Sequence, residues 1–498
     1  MVNIRQGIET ERVSIRECLK DLDEMKKTGS WRLPVGFGDY ARFFVLGILV
    51  RFHWFRSFFN IERLRGVSFP YMILLSYMLR KGLFEVIYER KLHVNGYYSY
   101  LLAKTIHLRH RKFIIRGQGV SENRELALSK ALGEIVERTM SGLYDLRSIA
   151  LVDSPAEMMK RSSIIYYPPK HHRFLLVQRE RYKELFHDPE KPIEWVEGVD
   201  LISRKKAYIP KDIASWCSRL YNRKNSVLVH ATTNGAAGFF SRDGAVLRGL
   251  LEVLQRDAFL VHWLTMIAPD VIRIETLPEV LKKQIQGFGS LGISVFVLHV
   301  TALNIPSIVV VGIHNGRGKE GVTLTAASSM TLEKAISDAL HELVVGVEIF
   351  YASDGDKGVR LESTEPFVSE LDRMTRQFYW LGVQRVAQFR WFVSGRSVSY
   401  VESLQYDIEC EGDDSSRLKA CIRVLGALGE DYHPIAYYPK NGIQEELGFF
   451  VAQVYIPKAF PLYLFEGYGT FESERLREFA ALKGYDDWQL NPLPHGFP

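Results

Sequence analysis

Two periods of apolar residues alternate along this chain. From Lys112, the stretch KFIIRGQGVSENRELALSKALGEIVERTMSGLYD passes from a β-like run through glycines into a long helical period. That order predicts a strand, a glycine turn and an amphipathic helix. It returns in VLVHATTNGAAGFFSRDGAVLRGLLEVLQRDAFLVHWL. After the β-rich runs ISVFVLHV and SIVVVGIH, a third turn-plus-helix follows in GVTLTAASSMTLEKAISDALHELVVGVEIF. Each predicted helix carries an alanine two turns ahead of a glutamate: Ala127 with Glu134, Ala245 with Glu252, and Ala335 with Glu342. Such pairs share roughly one face, and the small residue lets a neighbouring sheet or helix come close. Three like units around one site is the economical arrangement, a supersecondary repeat too weak for a solenoid. Residues 1–94 read as helical and irregularly apolar, a region of unknown role, and residues 95–498 as the main domain. Between the first two units, Tyr166-Tyr167-Pro168-Pro169 and the run near Arg179 read as exposed loops. The predicted class is α+β.

The helix faces carry chemistry. Glu134, Glu137 and Arg138 in the first are nearly copied as Glu252, Gln255 and Arg256 in the second. Positions i, i+3 and i+4 project together, so each helix presents acids beside a guanidinium. Neighbouring carboxylates repel unless a cation lies between them, and Mg²⁺ favours oxygen ligands. Two such helices face to face would suit a metal-bound polyphosphate. Two solvated Glu/Arg faces remain the alternative on this pattern alone.

Composition changes the picture little. Of 498 residues, 47% are hydrophobic and 24% charged, which describes a globular protein large enough for a sizeable core. The net charge of +6 permits an anionic ligand and gives no indication of nucleic acid. Cys18, Cys217, Cys410 and Cys421 form no CxxC pair, so zinc and disulfide frameworks are not expected and a reducing cytoplasm is. Residues 1–27 are charged throughout, unlike a secretory signal. The most apolar stretch, residues 43–50, lies between Arg42 and Arg51 and falls far short of the roughly 20 residues of a spanning helix. The FHWFRSFF that follows reads first as a buried aromatic helix and second as a membrane-surface or partner-docking one.

Other motifs are weaker. The turn Thr233-Asn234-Gly235-Ala236-Ala237-Gly238 precedes the second acidic helix, where glycines and a helix N-terminus favour an anion and Asn234 could donate to it. A plain structural turn fits equally well. Gly316-Arg317-Gly318-Lys319 is followed by Glu320 where a phosphate loop needs Ser or Thr, and reads as a hairpin loop. His171-His172 reads as exposed rather than ligating. The final NPLPHGFP, ending at Pro498, has prolines that favour an extended arm able to deliver a carboxylate into a site, or else a solvated polyproline tail.

SKALGEIVER, TNGAAGFFSRDGAVLRGLLEVLQRDA, VYIPKAFPLY and NPLPHGFP together resemble the YcaO-domain proteins, in particular the azoline-forming cyclodehydratases of ribosomally made peptides. The resemblance spans about Lys104 to Pro498. It implies a YcaO-like fold binding ATP without a P-loop, with Mg²⁺ held by Glu134, Glu137, Glu252 and Gln255. Arg138, Asn234, Arg256 and Glu342 would complete the nucleotide site, and the Pro498 carboxylate or His495 would serve as general base. In such enzymes a Cys, Ser or Thr side chain attacks the preceding carbonyl. ATP phosphorylates the resulting oxygen, and loss of phosphate leaves an azoline. The implied partners are a precursor peptide and a separate E1-like leader-recognition protein, with a flavin dehydrogenase and a homodimer as further options. Nucleic acid and membrane association are not implied. Thioamide or amidine formation, or a non-catalytic scaffold, are the alternatives. The chain departs from the family pattern at Gln255 for Glu, Lys130 for Ser, Val345 for Gln and Gly496 for Pro, the last read as loosening the arm.

Overall fold

The computed structural model describes residues 75, 78, 82–90, 92–108, 111–143, 149–161, 164–181, 188–215, 232–316, 319–352, 376, 378–439, 449–464 and 466–497. Pro498, Cys18, Cys217 and most of residues 1–94 therefore lie outside the described residues.

Three strands, β1 (Val86–Arg90), β2 (Tyr98–Leu108) and β3 (Arg111–Ser121), form an antiparallel sheet. A boundary at residue 94 would cut this sheet, because β1 pairs with β2 from Val86↔Ala103 to Arg90↔Ser99. Helix α1 (Arg124–Leu143) lies across β3, and Asn123 Oδ1 caps it by accepting the Leu126 N–H at 3.0 Å. Gly117 and Gly119 lie inside β3 and form no turn, which corrects the first expectation. Their role is close approach: a Cβ at Gly119 would sit 2.0 Å from the Ala127 carbonyl oxygen, and one at Gly117 2.5 Å from that of Ala131. Gly119→Ala is accordingly expected to cost about 1–3 kcal/mol by forcing α1 off its sheet, which a denaturation curve would measure.

The middle of the chain supplies β4 (Leu151–Asp153), β5 (Ile164–Ile165), β6 (His172–Arg173), β7 (Ile193–Asp200), β8 (Lys206–Pro210) and β9 (Ala236–Phe239). Next come the long α2 (Arg242–Thr265), β10 (Asp270–Ile272) and α3 (Glu279–Gly289). Then follow β11 (Ile293–His299), β12 (Ser307–Gly316), β13 (Lys319–Ser328) and α4 (Leu332–Ala352). The last part gives β14 (Ser397–Val398), α5 (Asp414–Gly426), β15 (Ile435–Tyr437), β16 (Phe450–Tyr455), β17 (Glu472–Ser473) and α6 (Glu474–Leu482). One sheet runs β13-β12-β11-β10-β14, a second runs β5-β8-β7-β15-β16-β9 with β4 on β7, and β17 pairs with β6. Pairing is antiparallel except for β10 with β14 and β5 with β8.

Strand period 2 sorts β12 into two cores. Val309, Val311 and Ile313 pack with Trp263 and Phe259 of α2, while Ile308 and Val310 pack with α3 and α4. Gly316 pairs with Lys319 across β12 and β13, as a hairpin requires. Most of α2 is buried, and Ser241 caps it by accepting the Gly244 N–H at 3.1 Å. At its centre the Asp257–Arg475 ion pair, almost without solvent exposure, closes at 2.6 Å and ties α2 to α6.

Three surface expectations give way to burial. Tyr166, Tyr167, His171 and His172 are each less than 9% exposed. His172 Nδ1 lies 2.8 Å from Ser473 Oγ through the β6–β17 pairing, and burial pushes its imidazole down to about 3. Proline here marks a 3-10 turn, Pro168–Lys170, folded onto the core. The same holds for residues 491–497. Asn491 N–H donates to the Leu264 carbonyl at 2.8 Å, and the Trp263 and Trp380 indoles donate to the Leu493 and Pro494 carbonyls, each at 3.2 Å. Gly496 tightens this arm: a Cβ there would lie 2.9 Å from both Leu324 Cδ2 and Trp380 Cδ1. No helix among the described residues is long and apolar enough to cross a membrane.

Candidate nucleotide and metal site

Helices α1, α2 and α4 wall one cleft of about 2010 Å³. Glu134, Glu137, Arg138, Glu252, Gln255, Arg256 and Glu342 all line it, as do Lys130 and Val345. The face shared by i, i+3 and i+4 on each helix therefore points to common space, and Ala127, Ala245 and Ala335 are fully buried behind it. The three faces thus share one cleft instead of facing separate stretches of solvent.

Each arginine holds the glutamate one turn before it. Arg138 Nη2 lies 2.5 Å from Glu134 Oε1, and Arg256 Nη2 lies 3.1 Å from Glu252 Oε1. Backbone amides fix the other carboxylate oxygens. Gln118 N–H, from β3, donates to Glu134 at 2.5 Å, and Gly235 N–H donates to Glu252 at 3.1 Å. Arg138 Nη1 also donates to the Arg116 carbonyl at 2.8 Å.

Glu137 sits deeper. Burial, then the charges of Glu252 and Glu134, push its carboxyl well above the usual range, against the opposing effects of Arg138 and a Gly238 amide. Glu342 is reached by solvent through the cleft but is surrounded by protein, and burial raises its carboxyl while Lys130 draws it back down. These acids sense one another electrostatically with too little positive charge among them. Among the described residues, no three acidic, His or Cys side chains close on a single metal position. The donor set is nevertheless one that a hard cation between the acids would relieve.

Arg256 supplies the complementary observation. Its guanidinium stacks on the Phe497 ring at 3.9 Å, and its Nε and Nη1 are buried without a hydrogen-bond partner. Buried donors of this kind are costly unless an acceptor arrives, and phosphate oxygens provide one. The residues present thus fit a Mg²⁺–nucleotide. Gln118 and Phe497 are site residues that sequence reasoning passed over. Phe497 had a signal, being the only aromatic residue in the terminal arm.

Two expected residues lie elsewhere. Residues 236–239 form β9, paired with β16, and not a helix-leading turn, so Asn234 faces a separate cavity of about 30 Å³ beside Gln453. His495 is fully buried: its Nε2 is 2.9 Å from the Tyr463 carbonyl and its Nδ1 accepts the Phe497 N–H at 3.3 Å. With both nitrogens bonded and burial holding it well below its ordinary value, it is a neutral anchor for the arm and cannot take a proton from a substrate.

Among solved structures, the chain is similar to a heterocyclase in complex with substrate and cofactor, with TM-score 0.67 and 17% identity over 84% of this chain and 55% of that one. It is similar to the heterocyclase TruD, with TM-score 0.56 and 17% identity over 74% and 50%. It is also similar to a YcaO protein of Methanopyrus kandleri bound with AMPPCP and Mg²⁺, with TM-score 0.55 and 18% identity over 78% and 89%. The chain spans about half the length of the first two. No curated protein sequence matches it. The family model described as YcaO cyclodehydratase, ATP- and Mg²⁺-binding, matches residues 117–459, which include all three cleft helices, and the chain belongs to that family.

Proposed function

We propose that this chain is an ATP-dependent cyclodehydratase that forms thiazoline or oxazoline rings in a ribosomal precursor peptide. The observation that carries the reading is the convergence of three acid-bearing helices on one cleft, where Arg256 keeps two buried donors unpaired. Glu134, Glu137, Glu252 and Gln255 would hold Mg²⁺, and Arg138, Arg256 and Glu342 would face the nucleotide. ATP supplies a phosphoryl group that turns an amide oxygen, a very poor leaving group, into a good one. The chain's own contribution is to position peptide against phosphate and to neutralise charge, as in other phosphoryl transfers. Delivery of the peptide by a separate E1-like leader-recognition protein belongs to this reading. Thioamide or amidine formation would use the same activated amide with a different nucleophile.

Gln255 favours a second reading, a scaffold that binds nucleotide or peptide without turnover, because it puts a neutral amide among metal-holding carboxylates. Titration of nucleotide with and without Mg²⁺ separates the two. Metal-dependent binding, with loss of one water mass from a supplied peptide containing Cys, Ser or Thr, supports the enzyme. Metal-independent binding without product supports the scaffold. Glu252→Gln is expected to abolish product while leaving the melting curve intact. Gln255→Glu is expected to lower the half-saturating Mg²⁺ concentration on the order of tenfold.

A further inference from the structure

The turn that precedes β9 and α2 has no role in the nucleotide reading. Thr233 lines the cleft, whereas its neighbours Thr232 and Asn234 line the separate cavity of about 30 Å³. Helix α2 divides in the same way, with Glu252 on the cleft and Val253 on the small cavity. Gly235 follows in the turn, and its backbone is engaged on both sides. Its N–H donates to Glu252 at 3.1 Å, and its carbonyl accepts the Val454 N–H at 2.8 Å. Its φ is +78°, and a Cβ there would lie 2.2 Å from the Val454 carbonyl oxygen, so the position requires glycine. The aim of the amide that fixes Glu252 is therefore set by how this turn sits on β16.

The small cavity lies against that seat. Its walls are largely apolar, with Ile213, Ile456, Phe460 and Leu462 among them. Three of its residues nevertheless carry buried oxygens with no hydrogen-bond partner among the described residues: Asn234 Oδ1, Gln453 Oε1 and the Tyr455 hydroxyl. Gln453 and Tyr455 are only 2% and 5% exposed. Gln453 Nε2 donates to the Thr232 carbonyl at 3.5 Å, which assigns the oxygen to the other end of that amide. Burial pushes the Tyr455 hydroxyl well above its ordinary value, so it keeps its proton and can donate. Two acceptors and one donor are the complement of a water molecule, which donates twice and also accepts. A cavity of about 30 Å³ exceeds the roughly 10–15 Å³ that one water needs. Three unpaired polar atoms cost more than ordering that water. Ions fit worse. Among the described residues no carboxylate lines the cavity to hold a divalent cation, and its amide oxygens repel an anion.

We propose that this cavity is a binding site for one water molecule, and that Asn234, Gln453 and Tyr455 are positioning residues acting through it on Glu252. The water donates to Asn234 Oδ1 and Gln453 Oε1 and accepts from the Tyr455 hydroxyl. It ties the turn to β16 and so aims the Gly235 amide at the Glu252 carboxylate. The consequence for Mg²⁺ rests on the nucleotide-site reading above, whereas the water site itself does not.

Crystals of the full chain without nucleotide test the site. One peak is expected within about 2.7–3.2 Å of all three oxygens, and a dry cavity overturns the proposal. Tyr455→Phe removes only the hydroxyl. In its crystals the Gly235–Glu252 contact, 3.1 Å here, is expected to open beyond hydrogen-bond reach, and an unchanged contact overturns the positioning role. Nucleotide titration gives the second reading. Tyr455→Phe and Asn234→Ala are expected to raise the half-saturating Mg²⁺ concentration about tenfold. Ile456→Val, which loosens the same wall without removing a polar atom, is expected to lower the melting temperature and leave that concentration unchanged. Equal shifts in all three variants reduce the turn to packing and overturn the positioning role. An unsubstituted protein that binds no nucleotide at any Mg²⁺ concentration overturns the nucleotide reading instead, and the two crystal readings then decide the proposal.

Discussion

Replacing Glu137 by Gln is expected to raise the melting temperature of the nucleotide-free protein and to lower Mg²⁺-dependent turnover by about 10²–10³-fold. Both effects come from one cause. Burial and the charges of Glu252 and Glu134 hold the Glu137 carboxyl well above its ordinary value, so the folded state prefers it protonated. The associated stability is complete below the ordinary carboxylate range and is lost as pH rises through the raised value. At neutral pH an ionised Glu137 is therefore a burden on the metal-free protein. Gln keeps an oxygen for the Gly238 amide without that charge. Melting curves across pH test this: the advantage of Glu137→Gln should vanish in acid, grow toward neutrality, and close again when Mg²⁺ and ATP saturate the unsubstituted protein. A variant that melts lower at neutral pH without metal would refute it.

Truncating Phe497 to Ala is expected to cost about 3–5 kcal/mol of stability and to weaken ATP binding at the same time. The ring is 2% exposed, packs 5.2 Å from Phe259, and lies under the Arg256 guanidinium. Removing it opens a hole in the core beneath α2 and takes away the platform that aims Arg256, a contact worth about 0.5–2 kcal/mol. Phe497→Leu separates the two roles, since it refills most of the core without restoring the stacking. Denaturant unfolding and nucleotide titration should then diverge, with stability near normal and affinity still reduced. Unchanged affinity in Phe497→Ala would reduce the ring to a packing element.

Helices α1, α2 and α4 were legible because two signals agreed: the apolar period and the spacing of small residue to glutamate. Their convergence was legible as well, since shared chemistry on repeated faces implies a shared space. The errors have common physical causes. A glycine required for close approach looks in sequence like one required for a turn, which is why Gly117, Gly119 and Gly496 were misjudged. Tyr-Tyr-Pro-Pro and His-His look solvent-loving locally, but distant segments cover them, as Ser473 covers His172.

No wall of the nucleotide cleft exists by itself. It forms only when the β3–α1, β9–α2 and β13–α4 units have all docked, so a nucleotide recognises the finished fold and no fragment of it. A ligand that binds only the native state adds stability in proportion to the logarithm of its saturation, about 2.7 kcal/mol at a hundredfold excess over Kd. The cell's energy supply would then govern more than turnover. When ATP falls, that increment shrinks, so the protein's resistance to unfolding would track the nucleotide it binds.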